Sequence, residues 1–294
     1  MNVAHERIVA GTAATISFQG VDQDGEPGDP GTVTVGVVRS DGSTVVNAGT
    51  ATSGSSTSPR TYALTAAQTA TVDLLTATWK VGSTTVGTTL VEVVGGVFVR
   101  IADVRGIDRV VADASIDPLP HLKRVRSRAE QLIETETGVA WVPRFSTVRL
   151  DGNGQGALLL PEMMLRSVRW CRLWTDGTTY SSLSAAELAA IPADNVGIAW
   201  RSDGASWPCG VRNVEIGFEH GYATPNQDIA EACRMLLRDF ARLYDNALST
   251  RQTGFSVDGI WSQVVTASVR GAATSNPEVN AILTRHSHQV PGVA

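Results

Sequence analysis

The clearest hydrophobic pattern in the chain is helical and covers residues 224–248. Its apolar positions recur every three or four residues, and charged residues fill the positions between them. The apolar set is Ile229, Cys233, Leu236, Leu237, Phe240, Leu243, Tyr244 and Leu248. Thr224 suits an N-cap, Pro225 suits the first helical position, and Gln227 completes the spacing of a capping box. The pattern predicts a long amphipathic helix that buries one face.

A period of two replaces the helical period in residues 1–96. Short alternations of apolar and polar residues are separated by turn residues, and Asp41-Gly42 has the sequence of a tight hairpin turn. The predicted strands are 7–9, 15–19, 32–39, 44–48, 60–64, 75–81 and 85–94. Strands of this number and spacing predict an all-β, immunoglobulin-like sandwich without the cysteine pair of antibody domains. Trp79 is the predicted aromatic anchor of its core.

Helical periods return after Gly95-Gly96, the predicted end of this domain. A short helix is predicted from the spacing of Ile101, Val104, Ile107, Val110 and Val111. A longer helix is predicted between Asp117 as N-cap and Gly138 as C-cap. Its predicted buried stripe is Leu122, Val125, Ala129, Leu132 and Ile133.

The predicted exposed side of this second helix changes sign along its length. It begins with the basic Lys123, Arg124, Arg126 and Arg128 and ends with the acidic Glu130, Glu134 and Glu136. The helix dipole favours the opposite order, so a partner surface is a candidate explanation beside simple solvation. We therefore predict a subunit interface that includes Arg124 and Arg128. The polar face of helix 224–248 contributes Arg234, Arg238, Asp239 and Arg242 to the same prediction.

Residues 145–221 show short β-like alternations and predict a β subdomain inserted between the two long helices. Hairpin turns are predicted at residues 151–155 and at Asp176-Gly177. The glycines of the first turn are spaced like those of a phosphate-binding loop, but a strand and not a helix follows them. Ser184 and Glu187 predict a capping box for a short helix. Further strands are predicted at 196–200 and 211–218.

The patterns together predict two domains followed by a short C-terminal segment. Residues 1–96 form the all-β immunoglobulin-like sandwich, and residues 97–275 form an α+β helical domain with a β-hairpin insertion at about 145–221. Residues 276–294 form a helix and a polar tail. Asn276 is the predicted N-cap of that helix, which carries an apolar stripe on one face.

Charge and cysteine content limit the functions that suit the chain. Its 24 basic and 29 acidic residues give a net charge of -5, which argues against tight binding of DNA through a basic surface. Residues 1–14 lack the pattern of a secretory signal, and no apolar run is long enough to predict a membrane span. Cys171, Cys209 and Cys233 are far apart, which favours reduced thiols in a cytoplasm over a disulfide framework.

The sequence contains no recognisable catalytic or metal-binding motif. It lacks a nucleophile-elbow serine, a zinc-protease helix, a Walker loop and a Cys-x-x-Cys pair, so no enzyme, cofactor or metal is predicted. The three cysteines and His220 are zinc-ligand types without the paired spacing of a zinc site. His286 and His288 are interpreted as tail residues. The acidic loop 22–29 is interpreted as a solvated turn, because it lacks the bidentate glutamate of a calcium loop.

The order of the predicted elements resembles that of a known family. The order is a helix, a β insertion, a long helix opening with Thr224-Pro225, then Phe255-Ser256-Val257-Asp258-Gly259, and finally Asn276-Pro277-Glu278-Val279-Asn280-Ala281-Ile282-Leu283. It resembles the head-to-tail adaptor (head completion) proteins of tailed bacteriophages of actinobacterial hosts. The N-terminal sandwich, which ends in Val91-Glu92-Val93-Val94-Gly95-Gly96 and continues into Ile101-Ala102-Asp103-Val104-Arg105, resembles the immunoglobulin-like extension of many such proteins.

This resemblance implies a structural protein of the virion neck that is assembled in the host cytoplasm. Such adaptors form a ring, usually of twelve copies, below the portal protein. The ring joins the capsid to the tail and extends the channel through which DNA passes without sequence-specific binding. The implied partners are the portal and head-to-tail stopper or tail-tube proteins, and no membrane is implied.

In such adaptors the C-terminal segment reaches the portal. The resemblance therefore implies a portal-docking role for Pro277, Val279, Ile282, Leu283, Arg285, His286 and His288. The apolar stripe formed by Val279, Ile282 and Leu283 has a second interpretation, in which it folds back on its own domain. The sequence leaves both interpretations open.

Two other classes of function remain open at this stage. One is a binding module, either an immunoglobulin-like domain joined to an interaction domain or a tail-associated protein that recognises host glycans. The other is a hydrolase with an unrecognised site, for which the sequence offers no candidate residues.

Overall fold

The computed structural model describes the chain over residues 3–21, 24, 26–52, 58–107, 111–114, 118–245, 252–257, 260–265, 274 and 276–287. The chain divides into two compact units. The first unit comprises Met1–Gly96 and Val142–Ala223, and the second comprises Val97–Trp141 and Thr224–Ala294. The β insertion therefore groups with the N-terminal strands rather than with the helices.

Seven strands form the N-terminal part of the first unit, as the alternation predicts. They are β1 (Val3–Val9), β2 (Ala14–Phe18), β3 (Thr34–Val38), β4 (Thr44–Thr50), β5 (Arg60–Leu64), β6 (Asp73–Val81) and β7 (Thr84–Val94). One sheet has the order β1-β7-β6-β3-β4, with β1 parallel to β7, and β2 pairs with β5 in a second sheet. Both sheets contribute to one core, in which Trp79 is fully buried. The strands and the role of Trp79 are confirmed, and the immunoglobulin-like arrangement stays a prediction.

The second β region of this unit contains six strands and one short helix. They are β8 (Arg144–Gly152), β9 (Ala157–Leu159), β10 (Leu165–Trp174), β11 (Tyr180–Ser182), α3 (Ala185–Ala189), β12 (Ile198–Trp200) and β13 (Gly210–His220). Four strands form a sheet in the order β11-β10-β13-β8, and β9 pairs with β12. The predicted capping box of α3 is confirmed, with both hydrogen bonds between Ser184 and Glu187 present. The predicted hairpin at Asp176-Gly177 is also confirmed, since β10 pairs with β11.

The hairpin predicted at residues 151–155 is wrong. The strands on either side of this segment belong to different sheets, because β8 pairs with β13 and β9 pairs with β12. Gly152 is required there for a different reason. A Cβ atom at this position would lie 1.7 Å from the carbonyl oxygen of Pro208, so the glycine allows close approach of two backbone segments.

A set of polar and backbone contacts joins the two β regions of the first unit. The Gly95 N–H donates to the Pro143 carbonyl at 2.8 Å, and a Cβ at Gly95 would collide with the proline ring at 2.6 Å. The indole N–H of Trp170 donates to Ser40 Oγ at 3.4 Å. Arg172 donates to a backbone carbonyl of the β3–β4 turn at 2.8 Å. The contact between Gly95 and Pro143 holds the chain where it leaves the unit and where it returns.

The second unit is mainly helical. It contains α1 (Ile101–Ile107), α2 (Leu119–Thr137), α4 (Gln227–Asp245), the hairpin strands β14 (Gln252–Val257) and β15 (Ile260–Val265), and α5 (Pro277–His286). Apolar residues of α1, α2 and α4 form one core cluster, and α5 contacts both α2 and α4. The structure thus combines a β-rich unit with a helical one, as predicted at the level of mixed α and β content.

Helix α2 has the predicted C-terminus but not the predicted exposed face. Gly138 adopts φ 66° and its N–H donates to the Glu134 carbonyl at 2.9 Å, which confirms the C-cap. Glu130 and Glu134 were predicted to be exposed and are buried, and Arg126 is half-buried. The carboxylate of Glu130 accepts from the backbone N–H of Phe98 at 2.9 Å, which draws this side of the helix inward. The predicted N-cap, Asp117, lies outside the described residues.

Helix α4 begins later than its apolar pattern suggests. Its N-cap is Asn226, whose Oδ1 accepts from the backbone N–H of Ile229 at 2.8 Å, and not Thr224. Asn is among the best N-cap residues, so it outcompetes the threonine two positions earlier. The predicted buried residues Ile229, Cys233, Leu236 and Leu237 are confirmed. Leu248 and the side chains of Leu243 and Tyr244 lie outside the description.

Candidate assembly surfaces

The predicted docking stripe of α5 is an internal contact of the second unit. Asn276 Oδ1 caps the helix by accepting from the N–H groups of Glu278 and Val279, as predicted. Val279, Ile282 and Leu283 are all buried, and the helix contacts α2 and α4. This arrangement is the fold-back that the sequence left open, and docking of α5 on a portal stays a prediction.

Polar contacts of α5 reinforce its position on α4. The guanidinium of Arg285 lies 3.1 Å from Asp228 Oδ2, and His286 Nε2 lies 3.4 Å from the same oxygen. His286 also contacts Trp141 edge-on, with ring centroids 5.6 Å apart. Arg285 stays largely exposed, with 65% of its side-chain surface accessible. Pro277 is exposed, and His288 lies outside the described residues.

The α2 residues predicted at a subunit interface are indeed on the surface. Arg124 and Arg128 are both exposed, and the Arg128 guanidinium lies 4.6 Å from the ring centroid of Phe240 on α4. Lys123 is exposed too and adjoins Arg124 on the helix, whereas the exposed Leu119 lies nine residues before Arg128 and therefore on the opposite side. We call Lys123, Arg124 and Arg128 the basic face of α2.

The α4 residues of the predicted interface form a mixed surface. Arg234 pairs with Glu231, three residues earlier on the helix. Arg238 is exposed and Asp239 is half-buried. The side chain of Arg242 is outside the description, so its place in the interface stays a prediction.

An exposed apolar surface on the first unit was not anticipated from the sequence. The two short strands β9 and β12 pair so that Leu159 lies opposite Ile198 and Ala157 opposite Trp200. Leu158 and Ala199 point inward and are buried, whereas Leu159 is 67% exposed and Trp200 is 50% exposed. We call the outer side of this strand pair, Ala157, Leu159, Ile198 and Trp200, the ribbon face.

Acidic groups surround the ribbon face. The carboxylate of Asp194 accepts from the N–H groups of Val196 and Ile198 at 2.8 and 3.0 Å, and these hydrogen bonds, chiefly the one from Ile198, hold its pKa below the ordinary range. Glu162 lies beside the same end of β12, where Gly197 packs against its carbonyl. At the other end, Asp203 and Glu187 pair with Arg201, whose side chain is only 4% exposed. Acidic side chains therefore lie at both ends of the ribbon face, and Arg201 partly neutralises the pair at the second end.

A buried charge network lies where β1, β7 and β8 meet. Glu92 is 1% exposed and accepts from Arg7 Nε at 3.1 Å and from Arg144 Nε at 2.5 Å. Burial raises the pKa of Glu92, but the guanidinium groups of Arg7 and Arg144 outweigh it and leave that pKa below its usual value. Sequence reasoning did not single out this residue, because Val91-Glu92-Val93 reads as an ordinary alternating strand.

His220 lies beside this network. It is 3% exposed, and its Nε2 lies 2.9 Å from Ser146 Oγ. Burial first, and the nearby Arg144 guanidinium second, lower the pKa of His220 to about 4. His220 is therefore a neutral buried residue at pH 7.

The cysteines do not converge. Cys171 is buried in the first unit, Cys209 is exposed, and Cys233 is buried in the second unit. Burial raises the pKa of Cys171 to about 12 and that of Cys233 well above its usual value. Among the residues that the structure describes, no group of three His, Cys, Asp or Glu side chains has the arrangement of a metal site.

Two further features bear on function. A cavity of about 760 Å³ opens at one end of the N-terminal strands, and its lining includes Phe18, Gly20, Pro30 and Val86. Within the described ranges, no helix combines the length and hydropathy needed to cross a membrane.

Comparisons with known proteins give a limited result. No protein-family model matches the sequence, and no curated protein is significantly similar to it. Among solved structures, the chain is similar to one from the neck of an empty gene transfer agent particle computed with C6 symmetry. The identity is 20%, the match covers 66% of this chain and 93% of that one, and the TM-score is 0.40.

Two further chains give similar values. One is from the virion of the native gene transfer agent particle, with 19% identity, coverage of 66% and 93%, and a TM-score of 0.39. The other is from the neck of the native particle computed with C12 symmetry, with 18% identity, coverage of 68% and 98%, and a TM-score of 0.35. Scores of this size do not establish a shared fold.

Proposed function

We propose that this protein is a structural component of the neck of a phage-like particle, where it acts as a head-to-tail adaptor. In this role it forms a ring, of about twelve copies in the family it resembles, below the portal. The ring extends the DNA channel and joins the capsid to the tail, and its other neighbours are stopper or tail-tube proteins. The protein carries out no catalytic step in this role.

The observation that carries the proposal is the order of elements in the structure. Helix α2, the strands β8 to β13, the long helix α4 and the Pro-started helix α5 follow one another in the order that the adaptor resemblance requires. The neck chains described above are compatible with this role, but at TM-scores below 0.5 they add no weight to it.

The net charge of the chain supports a channel wall that does not bind DNA. The net charge of -5 gives DNA no strong electrostatic attraction, and a surface that binds phosphates through many arginines and lysines would slow DNA movement. A channel through which DNA must leave quickly is better served by a weakly repulsive chain.

We assign the portal contact to the part of α5 that is exposed and to the residues that follow it. Because Val279, Ile282 and Leu283 are used inside the second unit, we assign portal contact to the exposed Pro277 and Arg285 and to the residues after α5. The aromatic contact of His286 with Trp141 fixes the helix from which those residues extend.

Electron microscopy of purified particles tests this function. A density tag on the chain is expected in the neck between portal and tail, and loss of the gene is expected to give DNA-filled heads without attached tails. Finding the tag on the capsid surface or on tail fibres, with normal head-to-tail joining in the deletion strain, would overturn the proposal.

The cavity of the N-terminal strands favours a second candidate, a ligand-binding module on a tail-associated protein. Its volume is within the range of small-molecule sites, and Phe18 supplies an apolar ring of the type on which sugars stack. Binding of the full chain to host cell-wall glycans, lost in Phe18→Ala, would support this candidate. Absence of binding at millimolar glycan would exclude it.

A further inference from the structure

The ribbon face of the first unit is an apolar surface that the described chain leaves uncovered. Leu159 and Trp200 are 67% and 50% exposed, and Val196 beside them is 57% exposed. Ile198 continues the same face between them, opposite Leu159 in the strand pairing. Exposed aromatic and aliphatic side chains that adjoin one another in this way mark a surface for association.

The strands β9 and β12 hold this face rigidly. Their inward residues, Leu158 and Ala199, belong to the buried core of the second β region together with Trp207. The Trp207 indole N–H donates to the Ala199 carbonyl at 3.0 Å. The ribbon face is thus a preformed surface and loses little conformational freedom when a partner covers it.

The basic face of α2 has the opposite chemistry. Lys123, Arg124 and Arg128 are exposed along it. No acidic residue lies in the first turn of this helix, so its positive end is not compensated there. The face presents three cations whose aliphatic stems can pack on an apolar patch while their charges meet acidic groups at its edge.

Resting on the proposed ring, we propose that the ribbon face of one copy docks on the basic face of α2 of the next copy. The acidic groups near the ribbon, among them Asp194 and Asp203, then lie opposite Lys123 and Arg124 of the neighbour, while Trp200 and Leu159 supply the apolar contact. Charge complementarity selects a second copy of this chain as the occupant. Because the two surfaces differ, the contact is heterologous, and repetition of it extends head to tail until a ring closes.

The heterologous nature of the contact allows a test with two variants of the full chain. Leu159→Ser/Trp200→Ser destroys the ribbon face and keeps the basic face. Lys123→Glu/Arg124→Glu does the reverse. Wild-type chain is expected to form oligomers larger than dimers in analytical ultracentrifugation. Each variant alone is expected to be monomeric, with self-association weakened roughly thirtyfold or more, as for loss of a central aromatic contact.

The equimolar mixture of the two variants gives the decisive result. The intact ribbon face of the Lys123→Glu/Arg124→Glu chain can bind the intact basic face of the other variant, so heterodimers are expected. Growth must stop at the dimer, because the two remaining surfaces are both damaged. A mixture that stays monomeric, or one that forms full rings, overturns the proposal.

Matched controls separate this contact from general effects on the fold. Val211→Ser changes another exposed apolar residue of the first unit, and Lys80→Glu reverses another exposed charge; both are expected to assemble like wild type. The milder Trp200→Ala keeps the test valid if the double serine variant misfolds, with roughly tenfold weaker association expected.

The outcomes distinguish this inference from the proposed function. A chain that is found in the particle neck but assembles normally in both double variants keeps its function and loses this interface. A wild-type chain that stays monomeric at its solubility limit also overturns the interface. Only absence from the neck contradicts the proposed function itself.

Discussion

Each unit of the protein has a glutamate that is almost fully buried, Glu92 in the first and Glu130 in the second, and the two are held in different ways. Glu92 lies between two arginines from other strands, Arg7 and Arg144. Glu130 lies 3.6 Å from Arg126 of its own helix and accepts from the backbone N–H of Phe98. Both side chains are 1% exposed.

The difference lies in what each carboxylate joins. Glu92 bridges strands that are distant in sequence, so its charge organises the meeting point of the two β regions. Glu130 accepts from the Phe98 N–H at the start of the helical unit and holds the segment before α1 against α2. A buried ion pair stabilises little by itself, but removal of one partner leaves the other charge uncompensated. The first glutamate should therefore be harder to replace than the second.

The largest effect is expected from Glu92→Gln. This change leaves two guanidinium groups facing a neutral side chain, and the Arg7 side chain is only 10% exposed. We expect a loss of about 3 to 4 kcal/mol in the free energy of unfolding of the first unit. Urea unfolding followed by tryptophan fluorescence measures it. Glu136→Gln, at an exposed position, is the control with almost no expected change. A loss no larger than that of Glu130→Gln would contradict the difference between the two glutamates.

His220, which lies beside Glu92, is expected to make the stability of the protein depend on pH. The expected change is nearly as large as that from Glu92→Gln. Its folded-state pKa is about 4, below its unfolded value, so between pH 6.5 and pH 4 the unfolded state binds the extra proton. Stability is therefore complete above that window and falls by about 3 kcal/mol as the pH drops through it. Comparing unfolding of wild type and His220→Gln at pH 7.5 and pH 4.5 isolates the effect. An unchanged slope in the variant would refute it.

A smaller effect is expected from Glu130→Gln. The amide oxygen can still accept from Phe98 N–H, while the charge that attracts Arg126 is lost, so about 1 to 2 kcal/mol is expected. Far-UV circular dichroism during urea unfolding follows the helical unit. Glu130→Leu removes the acceptor as well and should accelerate hydrogen exchange of the Phe98 amide. Equal stability of the two variants would show that this hydrogen bond contributes nothing.

The smallest effect on stability is expected from the loss of an uncharged hydrogen bond, the side-chain N-cap of α4. Asn226→Ala removes the side-chain N-cap of α4 and should lower the free energy of unfolding by about 1 kcal/mol. The reason is that the Ile229 N–H in the first turn loses its hydrogen bond to the Asn226 side chain. Thr224→Ala is the matched control, since Thr224 was predicted to cap the helix and does not. A larger loss in the control than in Asn226→Ala would reverse the assignment of the cap.

The seven N-terminal strands and the long helices could be predicted because their signals are local. Alternation, turn residues and caps are all read within a few positions of one another. The buried glutamates could not be predicted in this way. A helical pattern assigns every charged residue to the outer face, and only the position of Phe98 shows that Glu130 faces inward.

Strand pairing also could not be predicted from local signals. The glycines at 151–155 suggest a turn, but the partner of β8 is β13, more than fifty residues later. The hairpin of β14 and β15 was missed although Asp258-Gly259, a tight-turn sequence, separates the two strands. Arg124 and Arg128 were correctly placed on a surface, while the ribbon face was not foreseen, since a strand that is apolar on both sides is normally expected to be covered on both.

The contact between Gly95 and Pro143 has a consequence for how the protein is made. It closes the first unit around an excursion of residues 97–141, so this unit cannot be completed until the strands after Pro143 have left the ribosome. The seven N-terminal strands are translated first and have a core of their own, whereas α2 must wait for α4 to cover its apolar stripe. Synthesis therefore exposes an uncovered amphipathic helix for roughly a hundred residues of translation, which at 5 to 20 residues per second is about five to twenty seconds. That interval is when aggregation competes most strongly with folding, and it is the period in which a chaperone would be of most use.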